Sequence, residues 1–232
     1  MKAVAIIPAR GGSKRIPGKN IKLFAGKPII VYSIEALKKS NLFQRIIVST
    51  DDPNIANLAI QHGAEVPFMR SKENSNDYAI IADVIEEVLQ NISIENSEID
   101  TICCMLATAP FISSDQLIEM NKQLTPEIDA VFTVQQFGFP IYRALQKNDK
   151  GLVSMIWPEN MKKRSQDFAP AYHDAGQVYF IRKSSFLEQK KLYAEKSFGF
   201  EIDALDAVDI DTPEDWLLAE KIFELRKKSG EK

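Results

Sequence analysis

Short apolar runs that suit buried strands alternate along this chain with helical patterns that are apolar on one side. Ala3–Pro8 is a continuous apolar run of the kind found in strands buried on both faces. Residues 45–49 form a second strand pattern, and Ile30, Ile34 and Leu37 recur between the two at helical spacing. This order predicts two parallel strands joined by a crossover helix, which Pro28 would open.

The alternation continues through the rest of the chain. Asp52 and Pro53 are typical of a helix start, and Gly63 is typical of a helix end. Further strands are predicted at residues 65–68, 101–106, 130–135 and 176–181, and further helices at residues 81–92, at residues 114–124 and from Thr212 onward. The pattern predicts one α/β domain over residues 1–232, a Rossmann-like three-layer α/β/α fold with a mostly parallel sheet. Ligands of such folds bind beyond the carboxyl ends of the strands.

The alternation stops between residues 137 and 171, where Pro, Gly and charged residues are scattered without a period. We therefore expect an inserted subdomain over about residues 137–171. Its apolar side chains would either face a partner or form a small local core.

The overall charge and the cysteines limit the classes of partner and compartment. The 29 Lys and Arg residues against 32 Asp and Glu residues give a net charge of −3, so no global field attracts nucleic acid or an anionic membrane. No apolar run approaches the ~18 residues of a membrane span, so no membrane anchor or export signal is expected. The two cysteines, Cys103 and Cys104, are adjacent, where a disulfide would be strained. A reducing, cytoplasmic location is expected.

The loop after the first strand carries an unusual charge distribution. The first 34 residues hold seven cations and no Asp or Glu, in a chain that is acidic overall. Gly11 and Gly12 would let backbone N–H groups approach an anion, and Arg10, Lys14 and Lys19 would supply countercharge for a polyphosphate. The loop matches neither the P-loop nor the dinucleotide-binding motif. The alternative is a solvated basic loop.

A second candidate site lies close to the C-terminal helix. Asp209 and Asp211 stand two residues apart on an extended segment, which points both carboxylates the same way. Such a pair could share one Mg²⁺, a cation that proteins typically hold with one or two carboxylates plus substrate phosphates. The alternative is that Asp209 is solvated and Asp211 only precedes the helix cap at Thr212.

These motifs together resemble the cytidylyltransferases that activate nine-carbon acidic sugars, a family that includes the CMP-N-acetylneuraminate synthetases. The resemblance rests on Ile6 to Lys14 with Pro17, Lys19 and Asn20, on Val48 to Asp52, on Arg70, and on Asp209 to Thr212. It runs in the same order over essentially the whole chain. It implies a nucleotidyltransferase fold and the transfer of CMP from CTP to the anomeric hydroxyl of an acidic nine-carbon sugar, with release of pyrophosphate.

The resemblance also assigns roles to individual residues. It implies that the CTP-binding residues are Ala9, Arg10, Gly11, Gly12, Ser13, Lys14, Lys19, Asn20 and Arg70. It implies catalytic roles for Lys14, Arg10 and Asp211, and a Mg²⁺ site at Asp209 and Asp211. These roles suit the chemistry, because phosphoryl-type transfer depends mainly on positioning the reactants and neutralising charge on phosphate oxygens.

Departures from the family pattern concern the sugar. Leu106 stands where the sialic acid enzymes have a sugar-facing Gln, and Ile112 stands where they have an Arg. Since Leu cannot hydrogen-bond a hydroxyl or amide, the site should favour a less hydroxylated sugar. Residues 107–111 and 172–177 are similar to a branch of the family whose substrate, pseudaminic acid, is a 6-deoxy, diacetamido sugar. The alternative for Leu106 is ordinary strand core.

Four further residues complete the set of sugar-site candidates, namely Thr108, His173, Gln177 and Arg164. His173 and Gln177 would supply donors to the N-acyl groups or the carboxylate, or would make structural hydrogen bonds only. In relatives the insertion makes a dimer contact and offers a basic residue to the neighbour's sugar, which implies a homodimer and points to Arg164.

Other interpretations stay open at this stage. The sugar could instead be N-acetylneuraminic, legionaminic or 3-deoxy-manno-octulosonic acid. Because fold alone does not establish function, the chain could use GTP or UTP, or could bind CTP as a sensor without catalysis.

Overall fold

The computed structural model describes residues 2–92 and 99–229. Within these residues the strands are β1 (Ala3–Pro8), β2 (Leu23–Phe24), β3 (Lys27–Pro28), β4 (Phe43–Ser49), β5 (Thr101–Met105), β6 (Ala130–Gln136), β7 (Leu145–Lys147), β8 (Val153–Met155), β9 (Tyr172–Arg182) and β10 (Ser197–Glu201). The helices are α1 (Ile29–Ser40), α2 (Pro53–Gln61), α3 (Ile81–Ile92), α4 (Ser114–Gln123), α5 (Lys183–Gln189) and α6 (Pro213–Ser229). None of the helices in these described ranges is long and apolar enough to cross a membrane.

Six strands form the central sheet in the order β10-β6-β9-β5-β1-β4. β1 pairs in parallel with β4 and β5, and β10 pairs in parallel with β6. Only β9 runs against its neighbours in this sheet, β5 and β6. The mostly parallel sheet predicted from the alternation is therefore confirmed, and the carboxyl ends of five strands meet at one edge.

The two faces of the sheet carry separate apolar cores, which gives the predicted three layers. Successive residues of β1 alternate between them: Ala5 and Ile7 pack with α1, α2 and α4, whereas Val4 and Ile6 pack with α3. A third apolar cluster joins α6 to the start of α1 and contains Trp216 and Phe24. The N-terminal loop is thus anchored to the last helix.

Local capping explains where the helices begin. The Asp52 side chain accepts a hydrogen bond from the Asn54 N–H at 2.7 Å, and Pro53 occupies the first helical position. Ser113 and Gln116 form a reciprocal capping box at the start of α4. The first helix begins one residue after Pro28, close to the predicted start.

One predicted strand is wrong, and several short elements were missed, among them the hairpin strands β2, β3, β7 and β8. At residues 65–68 there is only an isolated bridge between Ile47 and Glu65, because Pro67 lacks the N–H that would continue the ladder. β9 begins at Tyr172, four residues before the predicted start at residue 176. Helix α5 and the edge strand β10 were not predicted. The sequence of β10 contains Gly199 and has no continuous apolar run, which agrees with the half-exposed position of this strand.

Residues 137–171 leave the central sheet after β6 and return at β9. They contain the β7–β8 hairpin, which forms a separate two-stranded sheet. Several large apolar side chains of this segment are exposed: Phe139, Tyr142, Leu145, Leu152, Val153, Ile156 and Met161. Elsewhere, Cys103 and Cys104 are buried and free, as expected from their adjacency.

Candidate active site

The loop that follows β1 is shaped by contacts with the end of β4. The Ala9 N–H donates to the Ser49 carbonyl at 2.9 Å, and the Gly11 N–H donates to Oδ1 of Asp51 at 2.9 Å. A Cβ on Gly11 would lie 2.8 Å from the Asp52 carboxylate, so glycine is required there by packing. The Gly11 N–H, predicted to face a ligand anion, is satisfied by a protein carboxylate instead.

Asn20 closes the loop from its other end. Its Nδ2 donates to the Arg10 carbonyl at 2.9 Å, and the side chain is largely buried. This hydrogen bond closes the loop between Arg10 and Asn20 at the carboxyl edge of the sheet. Side chains from this loop therefore project into a common space.

That space is a cavity of about 300 Å³, which we call the basic cavity. Nine of the residues predicted from the sequence line it: Arg10, Ser13, Lys14, Lys19, Asn20, Arg70, Leu106, Thr108 and Asp211. They come from the β1 loop, the end of β5, the segment before α3 and the segment before α6. The location beyond the carboxyl ends of parallel strands is the one expected for a ligand site.

Arg70 is the most buried cation of the basic cavity. Its Nε donates to Oγ of Ser49 at 2.9 Å, and its Nη2 donates to the Ser49 carbonyl. Burial lowers the pKa of Arg70, an effect opposed by the nearby carboxylate of Asp51. The guanidinium is held in a fixed orientation at the wall of the cavity.

Arg10 and Lys14 converge on a single carboxylate that sequence reasoning missed. Nη1 of Arg10 lies 3.0 Å from Oδ1 of Asp77, and Nζ of Lys14 contacts Oδ2 of the same side chain. The hydrogen bond from Lys14, followed by the charges of both cations, lowers the pKa of Asp77. Asp77 lies in a polar stretch without a recognisable motif, so only the tertiary structure brings it to this cavity.

Two more cations of the loop pair with Asp211. Nη2 of Arg15 lies 2.8 Å from Oδ2 and Nζ of Lys19 lies 3.2 Å from Oδ1. Lys19 also donates to the Ile210 carbonyl at 2.8 Å. The backbone N–H of Asp211 donates to Asp215, whose side chain caps α6. The backbone of Asp211 is thus held by the helix start, and its carboxylate is held by two cations.

The neighbouring Asp209 has a different electrostatic environment. Burial and the negative charge of Asp211 both raise the pKa of Asp209, with burial the larger cause. Two neighbouring carboxylates form a set of hard oxygen donors, and a divalent cation bound to them would offset the cost of ionising Asp209. Among the residues described, no group of three or more His, Cys, Asp or Glu side chains could hold a metal.

Part of the cavity lining is apolar. It includes the half-buried Leu106, together with Ala79, Ile81 and Val84 from the start of α3 and the residues before it. The Leu106 backbone is fixed by hydrogen bonds to Gln177 at 2.9 Å and from Ser33 Oγ at 2.9 Å. Leu106 lines the cavity and belongs to none of the three apolar core clusters of the described residues.

Gln177 and His173 do not line the basic cavity. Gln177 is buried, and its Nε2 donates to the carbonyls of Ala175 at 3.2 Å and Val208 at 3.3 Å. Its Oε1 has no hydrogen-bond partner within the described part of the chain. His173 is exposed, with its ring 4.9 Å from that of Phe137. Their predicted contacts with a sugar stay predictions.

Arg164, Asp209, Ala9, Gly11 and Gly12 also lie outside the cavity lining. Arg164 belongs to the insertion, where its Nε and Nη2 donate to the Asp167 carboxylate at 2.9 Å each. Its side chain is exposed, so nothing in the fold holds it near the basic cavity of its own chain.

The geometry of the basic cavity suits a polyphosphate that is bound beside a metal. Four cations, Arg10, Lys14, Arg15 and Lys19, are all held there by carboxylates, and apolar residues complete the lining. Such a site can orient a nucleoside triphosphate and stabilise charge on its phosphates.

The chain belongs to the cytidylyltransferase family, whose profile matches residues 4–230. It is 38% identical over 231 residues to a pseudaminic acid cytidylyltransferase of Campylobacter jejuni, covering 99% of this chain and all of that protein. It is 30% identical over 233 residues to a CMP-N,N'-diacetyllegionaminic acid synthase of Legionella pneumophila, covering 99% of each.

The fold has a close counterpart among solved structures. A CMP:2-keto-3-deoxy-manno-octonic acid synthetase solved with CTP superposes with a TM-score of 0.71 at 19% identity, over 97% of this chain and all of the other. At that identity the likeness concerns the fold, and it confirms the predicted nucleotidyltransferase architecture.

Proposed function

We propose that this enzyme transfers CMP from CTP to the anomeric hydroxyl of pseudaminic acid and releases pyrophosphate. The observation that carries the proposal is the 38% identity to a pseudaminic acid cytidylyltransferase along the full length of both chains. The position of Leu106 in the cavity wall adds support, because an apolar side chain suits a 6-deoxy sugar.

In this reaction the anomeric hydroxyl loses its proton to solvent and its oxygen bonds to the α-phosphorus, as the bond from that phosphorus to the pyrophosphate oxygen breaks. Negative charge grows on the leaving pyrophosphate, and catalysis depends on neutralising it. Lys14 and Arg10 project from the loop with exposed tips and are the groups we assign to this task. Arg70, Lys19 and Asn20 would orient the nucleotide.

Asp209 and Asp211 are the side chains that would hold Mg²⁺. When bound, the ion would supply positive charge to the phosphate oxygens and orient them for attack. In the present arrangement Arg15 and Lys19 occupy the oxygens of Asp211. We expect both cations to turn toward the triphosphate when it enters, which frees the carboxylate.

The insertion is the surface we assign to a homodimer. Phe139, Leu152 and Met161 are each more than 60% exposed, which is unusual for large apolar side chains on a segment of this length. A second copy packed on this surface would bury them. Arg164 lies on the same exposed segment and does not line the cavity of its own chain, so we assign it to the sugar carboxylate bound by the partner subunit.

The biological setting follows from the product. CMP-activated nine-carbon acids are donors for glycosyltransferases, so the product would serve the glycosylation of flagellin or of surface glycans. A cytoplasmic location is part of this proposal, in keeping with the buried free thiols.

The test is pyrophosphate release with CTP and Mg²⁺ against a panel of sugars. The panel contains pseudaminic, N,N'-diacetyllegionaminic, N-acetylneuraminic and 3-deoxy-manno-octulosonic acids, with a blank lacking sugar. Release with pseudaminic acid above all others is expected. Preference for another acid would support cytidylyl transfer and reject the sugar assignment. Tight CTP binding without pyrophosphate release from any sugar would favour a nucleotide sensor.

A further inference from the structure

Asp77 is the one carboxylate of the basic cavity without an assigned role. It accepts hydrogen bonds from Arg10 and Lys14, which lie 67 and 63 positions earlier in the chain. These two cations are the side chains that we assign to the phosphates of the nucleotide. In the free enzyme, a protein carboxylate occupies the place between them.

The position of Asp77 is set by its own segment. Oδ1 of Asn76 accepts a hydrogen bond from the Tyr78 N–H at 2.7 Å, which forms a turn around Asp77. The same segment is tied to α3, because Glu87 accepts a hydrogen bond from Nδ2 of Asn74 at 2.7 Å. Nη1 of Arg10 also donates to the Asn76 carbonyl at 3.0 Å, so one cation contributes to holding this segment. The turn at Asn76 and the link from Asn74 to Glu87 involve neither cation, and these two contacts would keep Asp77 in place when the cations move.

The contacts between Asp77 and the cations are easily exchanged. The side chains of Lys14, Asp77 and Arg10 are 77%, 43% and 36% exposed, and exposed ion pairs contribute little net free energy. A pyrophosphate group carries several charges and can contact both cations at once. Without any anion between them, the two cations would repel each other.

We propose that Asp77 is a positioning residue that acts as the internal counter-ion of Arg10 and Lys14 and is replaced by the pyrophosphate portion of the nucleotide. The inference rests on the proposed function only in naming that nucleotide. Because Asp77 competes with the ligand, it lowers the affinity for the triphosphate and for released pyrophosphate alike. The same competition speeds the departure of pyrophosphate after CMP transfer.

The experiment is a calorimetric titration of inorganic pyrophosphate into the wild type and three variants. Asp77→Asn removes the competing charge and keeps the shape of the side chain, and it is expected to tighten binding about three- to tenfold. Asp77→Glu keeps the charge and should restore the wild-type affinity to within about twofold. Glu73→Gln is the matched control: Glu73 is exposed on the same segment, and none of the described ion pairs involves it.

If Asp77→Asn and Glu73→Gln bind pyrophosphate more tightly by the same factor, the effect comes from net charge alone and the inference is overturned. Unchanged or weaker binding by Asp77→Asn, or no binding by any of the four proteins, would overturn it as well. In turnover assays, Asp77→Asn should lower the KM for CTP by the same factor as the dissociation constant of pyrophosphate. A wild type that binds pyrophosphate but transfers CMP to no sugar would reject the proposed function and leave the calorimetric test of Asp77 standing.

Discussion

Nζ of Lys19 lies 3.2 Å from Oδ1 of Asp211, although the two residues are 192 positions apart in the sequence. The contact joins the loop after the first strand to the start of the last helix. It places a residue assigned to the triphosphate against a residue assigned to Mg²⁺. The residues we assign to the metal and to the phosphates are therefore in direct contact in the folded protein.

Replacement of Asp211 tests the proposed Mg²⁺ site. Asp211→Asn should lower Mg²⁺-dependent pyrophosphate release by at least about 100-fold, because the amide is a poor ligand for Mg²⁺ and no longer neutralises Arg15 and Lys19. Thermal unfolding should shift only moderately. Arg15 is mostly exposed, and the largely buried Lys19 keeps its hydrogen bond to the Ile210 carbonyl when the charge of Asp211 is lost. Glu214→Gln, an exposed change three residues away, is the control. Near-normal turnover of Asp211→Asn across a range of Mg²⁺ concentrations would reject the metal assignment.

Lys14 is expected to act on the transition state. Lys14→Ala should lower kcat by about 10²- to 10³-fold, because it removes a charge that stabilises the departing pyrophosphate. Lys22→Ala is the control, since Nζ of Lys22 lies 4.5 Å from the centre of the Trp216 ring and outside the cavity. Steady-state kinetics with saturating sugar would separate the two constants. A rise in KM for CTP with unchanged kcat would mean that Lys14 contributes uniform binding only.

Leu106 is expected to determine which sugar is used. Leu106→Gln would place an amide against the 6-deoxy region of pseudaminic acid, where it has no partner, so kcat/KM for this sugar should fall about 10- to 100-fold. The relative rate with N-acetylneuraminic acid should rise. Leu106→Met keeps the apolar wall and should retain the preference. Equal losses with both sugars in the Gln variant would show that Leu106 supports the fold of the wall and does not read the sugar.

Asp209 gives a prediction about stability. Because its pKa is raised in the folded state, its charge is disfavoured by folding, so Asp209 destabilises the protein above that pKa and this penalty is lost as the pH falls through it. Asp209→Asn should therefore unfold at a higher temperature than the wild type at about pH 7 without Mg²⁺, and at nearly the same temperature at about pH 4. Melting curves at the two pH values decide this. A variant that is less stable at neutral pH would contradict the sign of the shift.

The insertion is expected to make the dimer. Leu152→Asp places a charge on an exposed apolar site, so it should leave folding intact and convert the dimer to a monomer in sedimentation experiments. Activity should fall with the dimer, because Arg164 would no longer reach the partner subunit's sugar. Lys150→Asp, a nearby exposed change that removes no apolar surface, is the control. A wild type that sediments as a monomer at working concentrations would reject the assignment.

Much of the fold was predictable because its signals are local. The buried β1, the Asp52 cap and the one-sided apolar pattern of α3 each depend on neighbouring residues, and each is confirmed. The wrong strand at residues 65–68 shows the limit of this reasoning. Apolar residues occur there, but Pro67 removes a ladder donor, and whether a neighbouring strand compensates depends on distant parts of the chain.

The sequence by itself determined the class of site: glycines and cations after a buried first strand, and two carboxylates before the last helix. Only the tertiary structure decided which groups meet. It brought Asp77 to Arg10 and Lys14, placed Leu106 on the cavity wall, and turned Gln177 inward to Val208. The reason is physical: motifs are set by interactions between near neighbours, whereas ion pairs and cavity walls form between segments that only the packed sheet brings together.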